Sequence, residues 1–116
     1  MAVICQMILN GGEYNDVRIF TPETIRLMTT NQSPAANRAW GLGWGIISGD
    51  TGQQQNVFPK EGFGHIGWTG TAVRADVPSQ TFVILLCNRI HPDGKGNITR
   101  LLRQVCNIVA NSMVKE

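Results

Sequence analysis

The run Gly64-His65-Ile66-Gly67-Trp68-Thr69-Gly70-Thr71 sets a titratable imidazole among glycines inside a strand-like pattern. A histidine can hold or move a proton near neutral pH. Glycine weakens a strand, and in that setting it marks a bulge or a close approach of backbone to a ligand or another chain. The run reads as one wall of a site, with a strand histidine satisfied by a neighbour as the plainer alternative. Other candidates offer less. His91 and Asp93 could be a base and its orienter, but Asn88 to Gly96 reads as a connection to the last helix, with Asp93 helping to cap it. Ser33, Ser48 and Ser79 fall in loops or strand ends with no base at close spacing. Gly41, Gly43 and Gly45 lie within a strand pattern and open no helix, so they form no dinucleotide fingerprint. Trp40, Trp44 and Trp68 could line a cleft; core packing explains Trp44 equally well. No cluster of His, Cys or carboxylates has metal-ligand spacing, and no cofactor is expected.

A small fold must hold these residues. A chain of 116 residues, 42% hydrophobic and 16% charged, has the composition of one globular domain with a modest core. The net charge is +2, with Lys and Arg dispersed, which makes no case for nucleic acid. No apolar run reaches the roughly 18 residues of a membrane span. Met1 to Leu9 is apolar but lacks the basic leader and cleavage site of a signal peptide. Cys5, Cys87 and Cys106 sit in apolar surroundings and read as buried free thiols.

Met1 to Leu9 reads as a helix stopped at Asn10-Gly11-Gly12, where a left-handed cap is available. Being apolar all round, it is expected to be covered on all sides, and it resembles a helix cut at its front. Thr21-Pro22-Glu23-Thr24 starts a second helix: Thr21 can cap, Pro22 fits the first turn, and Glu23 suits the positive end of the dipole. Strands are predicted over Trp40 to Ser48, Gly64 to Ala75 and Gln80 to Asn88, with a turn at Val77-Pro78-Ser79 and a polar connection over Gly49 to Lys60. Phe82 to Cys87 is apolar on both faces, which predicts a central strand covered on both sides. Ile98, Leu101, Leu102, Val105, Ile108 and Val109 recur at helical spacing, with Arg100, Arg103 and Gln104 outward. The fold class is α+β: an antiparallel sheet of about three strands with helices packed on its faces.

The segment Gly62 to Thr71 resembles the third active-site motif of the serine β-lactamase-like family. That family includes class C β-lactamases, penicillin-binding proteins and related esterases. Met7 to Asn15, Arg18 to Thr24 and Phe82 to Arg89 extend the resemblance over nearly the whole chain. It corresponds only to the closing part of a complete family member. Residues 1–116 are therefore expected to form a single partial domain, the C-terminal portion of a β-lactamase/transpeptidase-like fold.

The resemblance implies roles. His65 would be the polar group near the nucleophile and substrate, and Gly67 would leave room for the substrate. The Trp68 backbone N–H would be one of two oxyanion donors, effective because a donor fixed on a strand need not reorganise. Ile66 and Thr69 would line the substrate. Ile66 stands where many relatives have Thr; losing that hydroxyl disfavours β-lactams and peptidoglycan peptides and favours an esterase-like substrate or one of unknown class. The family's nucleophile motif is Ser-x-x-Lys on a buried helix, with a Tyr-x-Asn opposite. Ser112-Met113-Val114-Lys115 fits the first pattern only at the end of the last helix, and Tyr14-Asn15-Asp16 belongs to the matched loop; neither is expected to be catalytic.

The complete protein would hydrolyse a small ester or amide through an acyl-enzyme, and this chain alone would be silent. The alternative is a non-catalytic, self-associating domain. An open sheet edge and an uncovered apolar face would seek either the N-terminal portion of the same domain or a second copy in a two-fold homodimer. No compartment follows from the sequence.

Overall fold

The computed structural model describes residues 1–35, 37–48 and 58–113. Helix α1, Ala2–Leu9, ends as its glycines require. Gly11 takes a left-handed φ of 71°; its N–H donates to the Ile8 carbonyl at 3.0 Å, and the Gly12 N–H reaches Met7 at 2.8 Å. This pair of bonds is a Schellman cap. Strands β1 (Glu13–Tyr14) and β2 (Val17–Arg18) follow as a minimal hairpin. Asn15 and Asp16 form its turn, both at positive φ, as such two-residue turns demand. Helix α2, Pro22–Thr29, begins where the sequence marks it, with the Thr21 side chain accepting from the Thr24 N–H at 3.2 Å.

Strands β3 (Gly45–Ile47), β4 (Gly62–Ile66), β5 (Ala72–Asp76) and β6 (Thr81–Leu85) form an antiparallel meander in the order β3-β4-β5-β6. Helix α3, Ile98–Ser112, closes the described chain. Its cap is Asn97, whose side chain accepts from the Arg100 N–H at 3.1 Å, and not Asp93 as expected. The α+β class holds, with helices on both sheet faces. On one face Met7, Ile8 and Ile25 close over Phe63 and Ala75. On the other, Leu102 and Cys106 close over Ala72 and Val83, joined by Phe58.

Four local expectations are corrected. The segment Gly64 to Ala75 is two strands, because the chain reverses over Gly67–Thr71: the Gly67 N–H donates to the Thr71 carbonyl at 2.7 Å and the Gly70 N–H to the Gly67 carbonyl at 3.0 Å. Trp40 to Ser48 is a tight reversal, with Gly43 at φ 81°, Trp40 bridged to Gly45, and strand only from Gly45. Phe82 to Cys87 is not central: β6 is an edge of the described sheet, with only Val83 buried and Leu86 76% exposed. Helix α1 is not covered all round, since Val3 and Ile4 stay about half exposed while Cys5, Met7 and Ile8 are buried. The predicted Gly49 to Lys60 connection falls mostly outside the described residues.

Register fixes what each strand offers. Gly64 pairs with Arg74 and Gly45; His65 pairs with Val73, which pairs in turn with Ile84. Alternation puts Phe63 and His65 on the α1 side of β4. Phe63 is sealed in the core, while His65, two residues on, has passed beyond the helix and is exposed.

Candidate functional site

His65 stands at the end of β4 beside the Gly67–Thr71 turn. Its ring meets Trp40 edge-on, 5.7 Å between centroids. Among the described residues no hydrogen bond ties its imidazole, which is exposed and has the Trp40 ring as its neighbour. A cleft of about 490 Å3 opens beside it, lined by Trp44, His65, Gly67, Val73, Ile84 and Leu86 among others. A second, of about 530 Å3, lies on its other side against Arg38, Trp40, Ile66 and Arg74. Both are of the size that small ligands occupy. The first is mostly apolar in its lining; the second carries the cations.

The other expected site residues fall at the same strand end. Ile66 is the last residue of β4, 38% exposed and on the opposite face from His65. Trp68 and Thr69 are in the turn and not on a strand. Trp68 is 75% exposed, and among the described residues its backbone N–H donates to no acceptor. The donor expected on a rigid strand therefore sits on a turn, and its fixity must come from what holds that turn. Gly67 also has a local reason to be glycine: a Cβ there would run into the Thr71 hydroxyl.

The residue that sequence reasoning passed over is Arg89. Its Nε donates to the Trp68 carbonyl at 2.8 Å, its backbone N–H to the Thr69 carbonyl at 2.9 Å, and its Nη1 to the Gly94 carbonyl at 3.3 Å. Its guanidinium lies 5.4 Å from the centroid of the Trp68 ring. Half-buried Cys87 adds a contact from its Sγ to the Gly70 carbonyl at 2.7 Å.

Arg74 is a further cation close by. Burial pulls its guanidinium below the usual arginine range, an effect that the nearby Cys106 partly opposes. Its Nη1 donates to the Val73 carbonyl at 2.9 Å, and the side chain lies over Gly64, where a Cβ would sit 2.7 Å from that nitrogen. Burial raises the Cys5 and Cys106 thiols, which keeps them protonated and inert.

The remaining candidates have structural partners. Ser112 Oγ donates back to the Ile108 carbonyl at 2.8 Å, and Lys115 lies outside the described residues. Tyr14 packs on the core beside the Asn15-Asp16 turn. Asp93 accepts from the Lys95 N–H at 3.1 Å and faces its ammonium at 3.4 Å, so nothing pairs it with His91. Ser79, expected to lack a base, has one within reach: its Oγ donates to Asp76 Oδ2 at 2.6 Å. That carboxylate also accepts from the N–H groups of Lys60, Glu61 and Ser79, which makes it a bracket for the β5–β6 turn and a poor base. Among the described residues no group of three His, Cys, Asp or Glu could hold a metal, and no helix is long and apolar enough to cross a membrane.

No family model matches the chain. Curated proteins do. A protein of Escherichia coli O157:H7 named "Putative D-alanyl-D-alanine carboxypeptidase" is 34% identical over 93 residues, 78% of this chain and 21% of its own length. A protein of the same name in Escherichia coli strain K12 gives the same figures. One from Salmonella paratyphi B is 34% identical over 94 residues, again 78% of this chain and 21% of its own. The chain is thus similar over most of its length to proteins named as D-alanyl-D-alanine carboxypeptidases, and it spans about a fifth of their length.

Proposed function

We propose that this chain supplies one wall of a serine-hydrolase site that cleaves a small ester or amide through an acyl-enzyme. His65 would be the polar group beside the nucleophile, the Trp68 N–H an oxyanion donor, and Ile66 and Thr69 contacts to the substrate. The nucleophile would come from residues other than those described. What carries the reading is a juxtaposition: an untied imidazole lines a ligand-sized cleft together with Gly67, and the unpaired Trp68 N–H is one residue further along the same turn. The carboxypeptidase name of the relatives supports acyl transfer to water as the reaction class. Oxyanion donors act as part of a unit, so one wall alone accelerates little.

The test is intact mass after incubation with a fluorophosphonate. The chain alone should gain no adduct. An adduct that disappears in Ser112→Ala would place the nucleophile at the end of α3 and overturn this assignment.

A specific observation favours a second reading, an association role. Met1 lines the cleft beside His65 together with Val73, Ile84 and Leu86, so exposed apolar surface runs from the start of α1 onto the β5–β6 side of the sheet. We propose that a second copy of the chain covers it, as a two-fold dimer. The two readings are compatible, because a partner on that face would also close the cleft.

A further inference from the structure

The Trp68 N–H can stabilise developing charge only if its direction is set before charge appears. On a strand, ladder hydrogen bonds would set it; on a turn, something else must. We propose that Arg89 is the positioning residue that does so, which rests on the reading of Trp68 as an oxyanion donor.

The direction of that N–H follows from one peptide plane. In a trans peptide the Gly67 C=O and the Trp68 N–H point in opposite directions. The Gly70 N–H holds the Gly67 carbonyl at 3.0 Å, so fixing Gly70 fixes the Trp68 N–H. Gly70 lies against Arg89: a Cβ there would sit 3.0 Å from the Arg89 nitrogen and 3.3 Å from its Cβ, and φ at Gly70 is 112°.

Arg89 also holds the next peptides along. Nε takes the Trp68 carbonyl, the backbone N–H takes the Thr69 carbonyl, and the guanidinium covers the Trp68 ring. Nη1 anchors the far side to Gly94, in a loop that the Gly94 N–H closes onto the Ile90 carbonyl at 2.8 Å. Gly96 packs on Arg89 too, with a Cβ position 3.1 Å from that of Arg89. A planar fork that donates in two directions while stacking on an indole is arginine chemistry; a lysine ammonium cannot reproduce it. The donor's direction is therefore set by a residue 21 positions away, on the segment that leaves β6: the Arg89 backbone bears on Thr69 and Gly70, and its side chain clamps the Trp68 peptide and ring between them.

The test uses the 15N-labelled full chain with Arg89→Ala and Arg89→Lys. Amide exchange is read at Gly67 and Gly70, the two hydrogen-bonded turn amides, and at Val83 in β6 as an internal reference. Arg89→Ala should speed exchange at the turn by about tenfold, the effect of losing a charge-assisted bond, while Val83 keeps its wild-type rate. Arg89→Lys should keep the wild-type urea midpoint yet leave the turn loosened, which a merely structural role for the positive charge would not give. Turn amides as protected as in the wild type in both variants would overturn the proposal.

Titration with methylphosphonate separates this inference from the site reading. A saturable shift of the wild-type Trp68 amide that weakens about tenfold in Arg89→Ala supports both. A wild-type shift retained in full by Arg89→Ala overturns the role of Arg89. No wild-type shift, with a turn that still loosens in the variants, sinks the donor reading and leaves Arg89 as the residue that orders the turn.

Discussion

At the scale of single residues, the most committed side chain outside the site is Asp76. Burial alone would raise its carboxyl, but the Ser79 hydroxyl and the N–H groups of Glu61, Ser79 and Lys60 outweigh that and hold it below the usual carboxylate value. A depressed folded value contributes stability that is complete above the unfolded value of about 3.9 and is lost as pH falls through the folded one. The urea midpoint should therefore be flat from pH 7 to about 5 and fall at lower pH. Asp76→Asn should flatten that acid limb and lower stability at pH 7 by about 1–2 kcal/mol. A variant with the wild-type acid limb would show that other carboxylates set it. The Ser79-Asp76 bracket was partly legible, as a turn at Val77-Pro78-Ser79. Its reach to the Lys60 and Glu61 amides was not, because those contacts cross 15 and 16 positions. Arg89 was hidden for the same reason: a lone arginine after an apolar strand carries no local mark of the turn it holds.

At the scale of elements, signals confined to one turn of chain were readable and signals spread across strands were not. Thr21 before Pro22 marked the start of α2, and Asn10-Gly11-Gly12 marked the end of α1, because caps are local chemistry. Thr21→Ala should cost about 1 kcal/mol, read as a shift in urea midpoint. The Gly67–Thr71 reversal was missed because Thr and Trp carry the strand pattern straight through it. Gly67 and Gly70 bracketing two residues were the available turn signal. The glycines of β4 proper answer to the sheet. A Cβ on Gly62 would collide with the Ala75 carbonyl, and one on Gly64 would press on the Val73 carbonyl and Arg74. Gly62→Ala should therefore destabilise by about 1–3 kcal/mol through overpacking. It should do so more than the same change at Gly11, where a Cβ meets nothing within 4 Å and only the left-handed φ opposes it. Paired thermal melts of the two variants decide this, and equal losses would remove the steric reading of Gly62.

At the scale of the whole molecule, the surface is too large for the mass. The accessible area is 7981 Å2 for 12.7 kDa, where a folded monomer of that size exposes roughly 6,200 Å2. The excess, roughly 1,700 Å2 on one chain, is about twice the roughly 800 Å2 that each partner contributes to a standard interface. Exposed apolar side chains occur on several elements, Val17, Ile19, Leu42 and Ile108 among them, and one group of them adjoins the sheet edge. Met1, Val3 and Ile4 stand out from α1, Leu86 follows the edge strand β6, and no further strand pairs with β6 among the described residues. An apolar edge strand beside an apolar helix face favours a partner. The proposed partner is a second copy, so sedimentation at tens of micromolar should give a species of twice the chain mass that dissociates on dilution. Ile4→Glu with Leu86→Lys should return it to monomer, with a urea midpoint that no longer rises with chain concentration as the wild type's does. A wild-type monomer at that concentration would exclude the dimer and leave the same face for residues of a longer chain. The curated relatives, roughly five times as long as the matched segment, make that the next place to look. Added polypeptide from the remaining part of such a protein should then protect the β6 amides from exchange and close the cleft at His65.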